Sequence, residues 1–207
     1  IKGIYKVQVA EVAEEELLGS TIPALTNIEN ETSNIVRAQY EENPYPRWKA
    51  VTSSIEPITV LALKKVADIK FDDAPILSCE SLNVLVAGCG TGRHAISTAQ
   101  RFKNCQVLAI DISLSSLAYA KRKTDELGIK NIEYMQVDIL QTKKLNRNFD
   151  IIEASGVLHH MKDPIYGWNV LLSSLTSGGL MKVGLYSKLA RRHIAKTRSE
   201  IDLHKLK

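Results

Sequence analysis

The chain has 207 residues, is 44% hydrophobic and carries a formal net charge of +4, enough to bury one substantial core with room for an appendage. So small a surplus makes no case for nucleic acid as partner, and no apolar run nears the roughly eighteen residues of a membrane span. Three cysteines, Cys79, Cys89 and Cys105, lack CxxC or Cys/His ligand spacing, which points to a reducing compartment without a structural zinc site. The N-terminus IKGIYKVQVAEV has no signal-peptide architecture, so a cytoplasmic location is expected. Its lack of an initial Met suggests a piece of a longer polypeptide.

In chain order, VAEVAEEELLG sets apolar residues at helical spacing and ends in Gly19, and TIPALTNIENETS reads as a polar connector rich in turn formers. A second helix is expected over about 33–42, stopped by Asn43-Pro44-Tyr45-Pro46-Arg47-Trp48, whose two prolines stiffen an extended segment. PITVLALKKVADI, beginning at Pro57, reads as a third helix. Residues 1–75 thus form a helical arm or lid, and 76–207 a separate domain.

From Leu82 onward short β-branched runs alternate with amphipathic stretches. Strands are expected at 83–87, 106–110, 132–136, 149–154 and 180–185, and helices at 92–102, 113–127 and 164–175, with a basic helix after Ser187. In that last stretch, from Lys188 to Lys207, seven Lys or Arg stand against two acids, the pattern of a solvated helix face. Strand alternating with helix is the mark of an α/β, doubly wound, mostly parallel Rossmann-like sheet covered on both faces. Ligands of such sheets sit beyond the carboxyl ends of the strands.

The first of those ends reads VLVAGCGTGRHA, with Gly88, Gly90 and Gly92 at every second position. Glycines there permit positive φ and let a ligand approach the main chain, and the helix that follows offers free N–H groups at its positive end. The dinucleotide fingerprint would put a third glycine at position 93, which is Arg. About 20 residues on, the second strand closes with Asp111, placed to accept ribose hydroxyls or to cap the next helix. The third closes with Asp138 and Ile139, an acid and an apolar neighbour that suit an adenine ring or, more blandly, a loop and its cap.

These motifs together resemble the class I S-adenosylmethionine-dependent methyltransferases: VLVAGCGTGRHA is similar to their first motif, LAIDIS to their second-strand acidic motif, QVDIL to their adenine-side motif, and FDIIEASGVLHHM with SGGLMKVGLYS to their fourth and fifth strands. The resemblance implies S-adenosylmethionine as cofactor. It implies Gly88, Gly90 and Gly92 beside the cofactor's amino-acid half, Asp111 on the ribose, Ile112 and Ile139 against the adenine, Asp138 at its amine, and the stretch Glu153, Ala154 and Ser155 near the sulfonium. NPYPRW, LAYAKRK and GLYSKLARR are similar to a bacterial subgroup whose domain follows tetratricopeptide repeats or belongs to a longer polypeptide. The class adds an antiparallel strand pair after the fifth strand, for which this sequence is too short, so the sheet is expected to lack its last two strands or to be completed by a partner chain.

Methyl transfer from a sulfonium is one in-line displacement and needs chiefly an acceptor held opposite the sulfur. Where the acceptor must lose a proton, His159 and His160 are the candidate bases. Tyr45, Arg47 and Trp48 are candidates for a lid or acceptor wall, Arg47 meeting a carboxylate or phosphate, or else for anchors of the arm to the core; Tyr40 fits either use. His94 reads as structural or adjacent to the cofactor. The acceptor is expected to be a small molecule or a protein, because no NPPY-type motif follows the fourth strand. Two other readings remain, a nicotinamide oxidoreductase and a cofactor-binding scaffold.

Overall fold

The computed structural model describes residues 2–42, 44–51, 56–70, 75–187 and 189–204; Asn43 of the NPYPRW segment lies outside them. Five strands, β1 (Leu82–Ala87), β2 (Cys105–Asp111), β3 (Ile132–Gln136), β4 (Phe149–Ser155) and β5 (Leu175–Gly184), form one sheet in the order β3-β2-β1-β4-β5. Every pairing is parallel. In β1 all residues but Asn83 are buried, because a strand at the middle of a parallel sheet has both faces covered. Alternation along it sends Val84 and Val86 into one core and Leu85 and Ala87 into the other.

Preceding the sheet are α1 (Lys2–Tyr5), a π-helical turn at Lys6–Ala10, α2 (Glu11–Thr21), α3 (Glu31–Glu42) and α4 (Val60–Val66). Between and after the strands come α5 (Arg93–Arg101), α6 (Leu114–Glu126), α7 (Pro164–Leu172) and α8 (Arg192–His204). Asp163 caps α7 through the N–H groups of Ile165 and Tyr166, each 3.0 Å away, with Pro164 at the first helical position. That helix ends at Leu172, short of the expected 175. Leu175 instead pairs with Phe149 and opens β5, where Thr176 Oγ1 donates to the Phe149 carbonyl at 2.8 Å. The register slips between Phe149 and Ile151 as the strand passes Gly178 and Gly179.

The segment expected to be a polar connector has a structural task. Leu25 N–H donates to Gln136 O at 3.0 Å and Gln136 N–H to Pro23 O at 2.9 Å, so Ala24 pairs in parallel with Gln136 and occupies the carboxyl end of that sheet edge. Among the described residues no strand pairs with the outer edge of β5. Helix α2 lies on α6: Gly19 allows close approach to Leu114 and Ala118, and Arg122, 1% exposed, meets Glu11 at 3.1 Å, Glu15 at 3.0 Å and Glu126. No helix among the described residues is long and apolar enough to cross a membrane.

Candidate functional site

A cavity of about 780 Å³ opens beyond the carboxyl ends of the strands, within the range of small-ligand pockets. Its floor is the turn after β1. Gly88, Gly90 and Gly92 have φ of 69°, 52° and 83°, the region glycine occupies at little cost, but the three do different jobs. A Cβ on Gly88 would lie 2.4 Å from Val157 and one on Gly92 2.4 Å from Ala120, whereas one on Gly90 would meet nothing closer than the Tyr45 carbonyl at 4.0 Å. Gly88 and Gly90 line the cavity; Gly92 serves the packing of α5 on α6 and does not reach the wall.

Asp111, at the end of β2, accepts from Gly90 N–H at 2.8 Å and from Ser113 N–H at 2.9 Å. Burial pushes its carboxyl above the usual range, while these backbone donors oppose the shift. The capping reading fits Ser113, whose side chain accepts from Ser116 N–H at the start of α6. Ile112, whose carbonyl accepts from Gln136 Nε2 at 2.9 Å, lines the same wall as Val137, Asp138 and Ile139. Asp138 is buried and also caps the 3₁₀ turn Ile139–Leu145, accepting from Leu140 N–H at 2.9 Å.

At the end of β4 the cavity is lined by Ser155, Gly156 and Val157. Ala154, fully buried in the second core, and Glu153, buried against Thr98 and Arg101 of α5, do not line it. The two histidines part in the same way. His160 is on the cavity wall, its ring edge-on to Tyr40 and Tyr186 at 6.5 and 6.3 Å. His159 turns away and stacks on Tyr186 at 3.6 Å, with both ring nitrogens buried and unpartnered among the described residues. Burial lowers the pKa of both below the usual histidine value, reinforced at His159 by His160 and then Arg191 and at His160 by Arg191, so each favours the neutral form.

The NPYPRW segment divides between wall and anchor. Tyr45 and Pro46 line the cavity. Trp48 is buried in the core, donating from Nε1 to the Thr91 carbonyl at 2.9 Å, while its own carbonyl accepts from Tyr119. Arg47 forks onto Glu15 at 2.7 Å and lies over the Tyr119 ring, so the carboxylate it meets belongs to α2 of its own chain. Neither Arg47 nor Trp48 reaches the cavity; the chain leaves its wall after Pro46, whose carbonyl accepts from Thr91 Oγ1 at 2.7 Å.

Sequence reasoning expected a helical lid and named Tyr40, but not the contact that holds this roof in place. Helix α3 contributes Val36 and Tyr40 and is tied down by Glu41, which accepts from Leu114 N–H at 2.9 Å and Ser115 N–H at 2.8 Å at the positive end of α6. No local spacing signals a contact over more than seventy residues. Tyr186 could have been found, since it follows β5 at a carboxyl end.

The sheet order, the glycine turn and the two strand-end acids define a Rossmann-like fold with its cavity beyond the carboxyl ends of the strands. Residues 84–179 match the family model of a methyltransferase domain. An uncharacterized protein of Synechococcus is 34% identical over 121 residues, covering 58% of this chain and 29% of that protein. The release factor glutamine methyltransferase of Flavobacterium psychrophilum is 41% identical over 84 residues, covering 41% of this chain and 29% of that one. Among solved structures, magnesium protoporphyrin IX methyltransferase from Synechocystis with bound SAM shares the fold at a TM-score of 0.51 and 22% identity, covering 72% of this chain and 74% of that one. The chain spans under a third of the length of the two curated relatives.

Proposed function

We propose that this chain transfers a methyl group from S-adenosylmethionine to a small-molecule or protein acceptor held in the cavity under α3. The observation that carries the reading is the carboxylate of Asp111 anchored on the Gly90 N–H at the cavity floor, with open space in front of Gly90 where a side chain would otherwise stand. In it, Asp111 accepts the ribose hydroxyls, Asp138 the adenine amine, Ile112 and Ile139 flank the base, and Gly88 and Gly90 admit the remainder of the cofactor to the main chain. The cofactor supplies an electrophilic methyl on a sulfonium. The chain's own work is to orient the acceptor and exclude water, which falls to Tyr40, Tyr45 and Tyr186. For a hydroxyl acceptor, His160 takes the proton, since it and not His159 stands on the wall.

Calorimetric titration with S-adenosylhomocysteine, with NAD in parallel, tests this. Micromolar binding of the former, about 8 kcal/mol, with none for NAD and loss in Asp111→Ala, is the expected result. Binding of NAD alone, or of neither, overturns it, and cofactor binding without turnover over an acceptor panel would leave a scaffold.

A further inference from the structure

Helix α3 roofs the cavity without burying a face of its own. Thr32, Ser33, Val36 and Tyr40 line the wall, yet no residue of the helix is buried, and Ile35 is 66% exposed. A surface helix is ordinarily fixed by the apolar stripe it buries, as α5 and α6 are, each with at least four buried residues. What ties α3 down is polar. Asn30 Oδ1 accepts from Ser33 N–H and Asn34 Nδ2 donates to the Ile28 carbonyl, both at 3.0 Å, but these bonds are local and attach the helix to nothing beyond its own start. Among the described residues, the hydrogen bonds that join α3 to another element all end on Glu41: it accepts from Leu114 N–H at 2.9 Å, Ser115 N–H at 2.8 Å and the Ser113 hydroxyl at 3.3 Å. One carboxylate on the free N–H groups at the positive end of α6 thus carries the attachment.

Beneath the roof, the wall proposed for the base is shut off from solvent. Asp138 is 4% exposed and Ile139 6%, although both line the cavity. A nucleoside reaches them only if part of the enclosure moves. The turn after β1 and the residues beyond β4 are bound into the two cores. Helix α3 is the lining helix that buries no side chain, and elements with few buried contacts open most readily. Latch and ligand site also meet at the start of α6, where Ser113 N–H serves Asp111 at 2.9 Å and the next two N–H groups serve Glu41. Burial chiefly, and the Glu41 charge to a lesser degree, push the Asp111 carboxyl up. Ribose hydroxyls donating to Asp111 spread its charge and ease that repulsion, so an occupied site favours the closed latch.

We infer that α3 is a gate over the nucleoside end of the cavity, latched by Glu41 on the first turn of α6, and that this latch governs how fast the cofactor enters and leaves. Glu41 does not line the cavity; it is a positioning residue acting through α3. The inference rests on the reading of the cavity as an S-adenosylmethionine site, and its test separates the two.

Association and dissociation rates of S-adenosylhomocysteine are measured on the unaltered chain, on Glu41→Gln, which keeps the side chain's size but not its charge, and on Asp111→Ala. Hydrogen bonds to a charged group are worth about tenfold or more, so Glu41→Gln should speed association and dissociation alike by about that factor, while the affinity changes far less. Asp111→Ala removes a contact and should speed dissociation alone. Unchanged or slower association in Glu41→Gln overturns the gate, whatever happens to dissociation. Hydrogen exchange without ligand reads the latch directly: α3 amides should exchange faster in Glu41→Gln, with β1 and β2 as slow as in the unaltered chain. Faster exchange in β1 and β2 as well would make Glu41 a prop of the whole fold and overturn the inference. Absence of S-adenosylhomocysteine binding to the unaltered chain would instead remove the cofactor reading; exchange then judges the latch by itself, and equal α3 rates in the two chains would overturn it.

Discussion

At the scale of single residues, the site is a set of polar side chains whose ionisation is decided by what surrounds them. Burial opposes it, but neighbouring His94, Arg101 and Thr98 lower the folded-state pKa of Glu153 to about 2 from 4.5. Its contribution to stability, about 3 kcal/mol, is therefore present above pH 4.5 and lost as pH falls through 2. Thermal unfolding of the unaltered chain and of Glu153→Gln across that range should show their difference in stability shrinking toward low pH; a difference constant with pH would contradict the charge argument. His160 behaves in the opposite sense, since its lowered pKa keeps it neutral and able to accept a proton near neutrality. With a hydroxyl acceptor, the rate should drop on acidification below pH 6.5. His160→Gln should lower kcat by about a hundredfold and abolish that limb, whereas His159→Gln should leave its shape unchanged.

At the scale of elements, the turn between β1 and α5 shows why one glycine pattern holds two kinds of constraint. Gly92→Ala places a methyl 2.4 Å from Ala120 at φ +83°, and it should cost about 2–4 kcal/mol in chemical denaturation, from strain and overpacking together. Gly90→Ala meets no protein atom closer than 4.0 Å, so it should cost only the left-handed backbone, about 1 kcal/mol, while its methyl intrudes on the cavity and weakens S-adenosylhomocysteine. Cofactor titration beside denaturation separates the two. The turn's position, its glycines and the strand-end acids are legible in the sequence because a parallel strand, its turn and its helix are encoded within about fifteen contiguous residues. The end of α7 is not: Ser173, Ser174 and Thr176 suit a helix's last turn and a strand's first residues alike, and pairing of Leu175 with Phe149 decides.

At the scale of the whole molecule, the N-terminal helices are fastened to the sheet domain by charge as well as by apolar contact. Arg122 joins Glu11 and Glu15 of α2 to Glu126 of its own helix, and Arg47 adds a second link to Glu15. Removal of a buried ion's partner is costly, so Arg122→Ala should destabilise the chain by about 3 kcal/mol. It should also loosen the segment that roofs the cavity, which hydrogen exchange over α2 and α3 would report as faster amide exchange than in the unaltered chain.

The sequence by itself determined the Rossmann-like alternation, the positions of four strands to within a residue or two, and the line of cavity-lining groups from Gly88 and Gly90 through Asp111 to Asp138. All of these follow from periodicities and turns written over a few neighbouring residues. Only the tertiary structure decided which of two adjacent histidines faces the cavity, that Arg47 and Trp48 anchor the arm while Tyr45 lines the wall, that Glu41 pins α3 over the site, and that Glu153 is buried against Thr98 and Arg101. Those outcomes depend on pairs separated by up to about a hundred residues, where it is packing around a shared core, not local spacing, that sets which side chains meet.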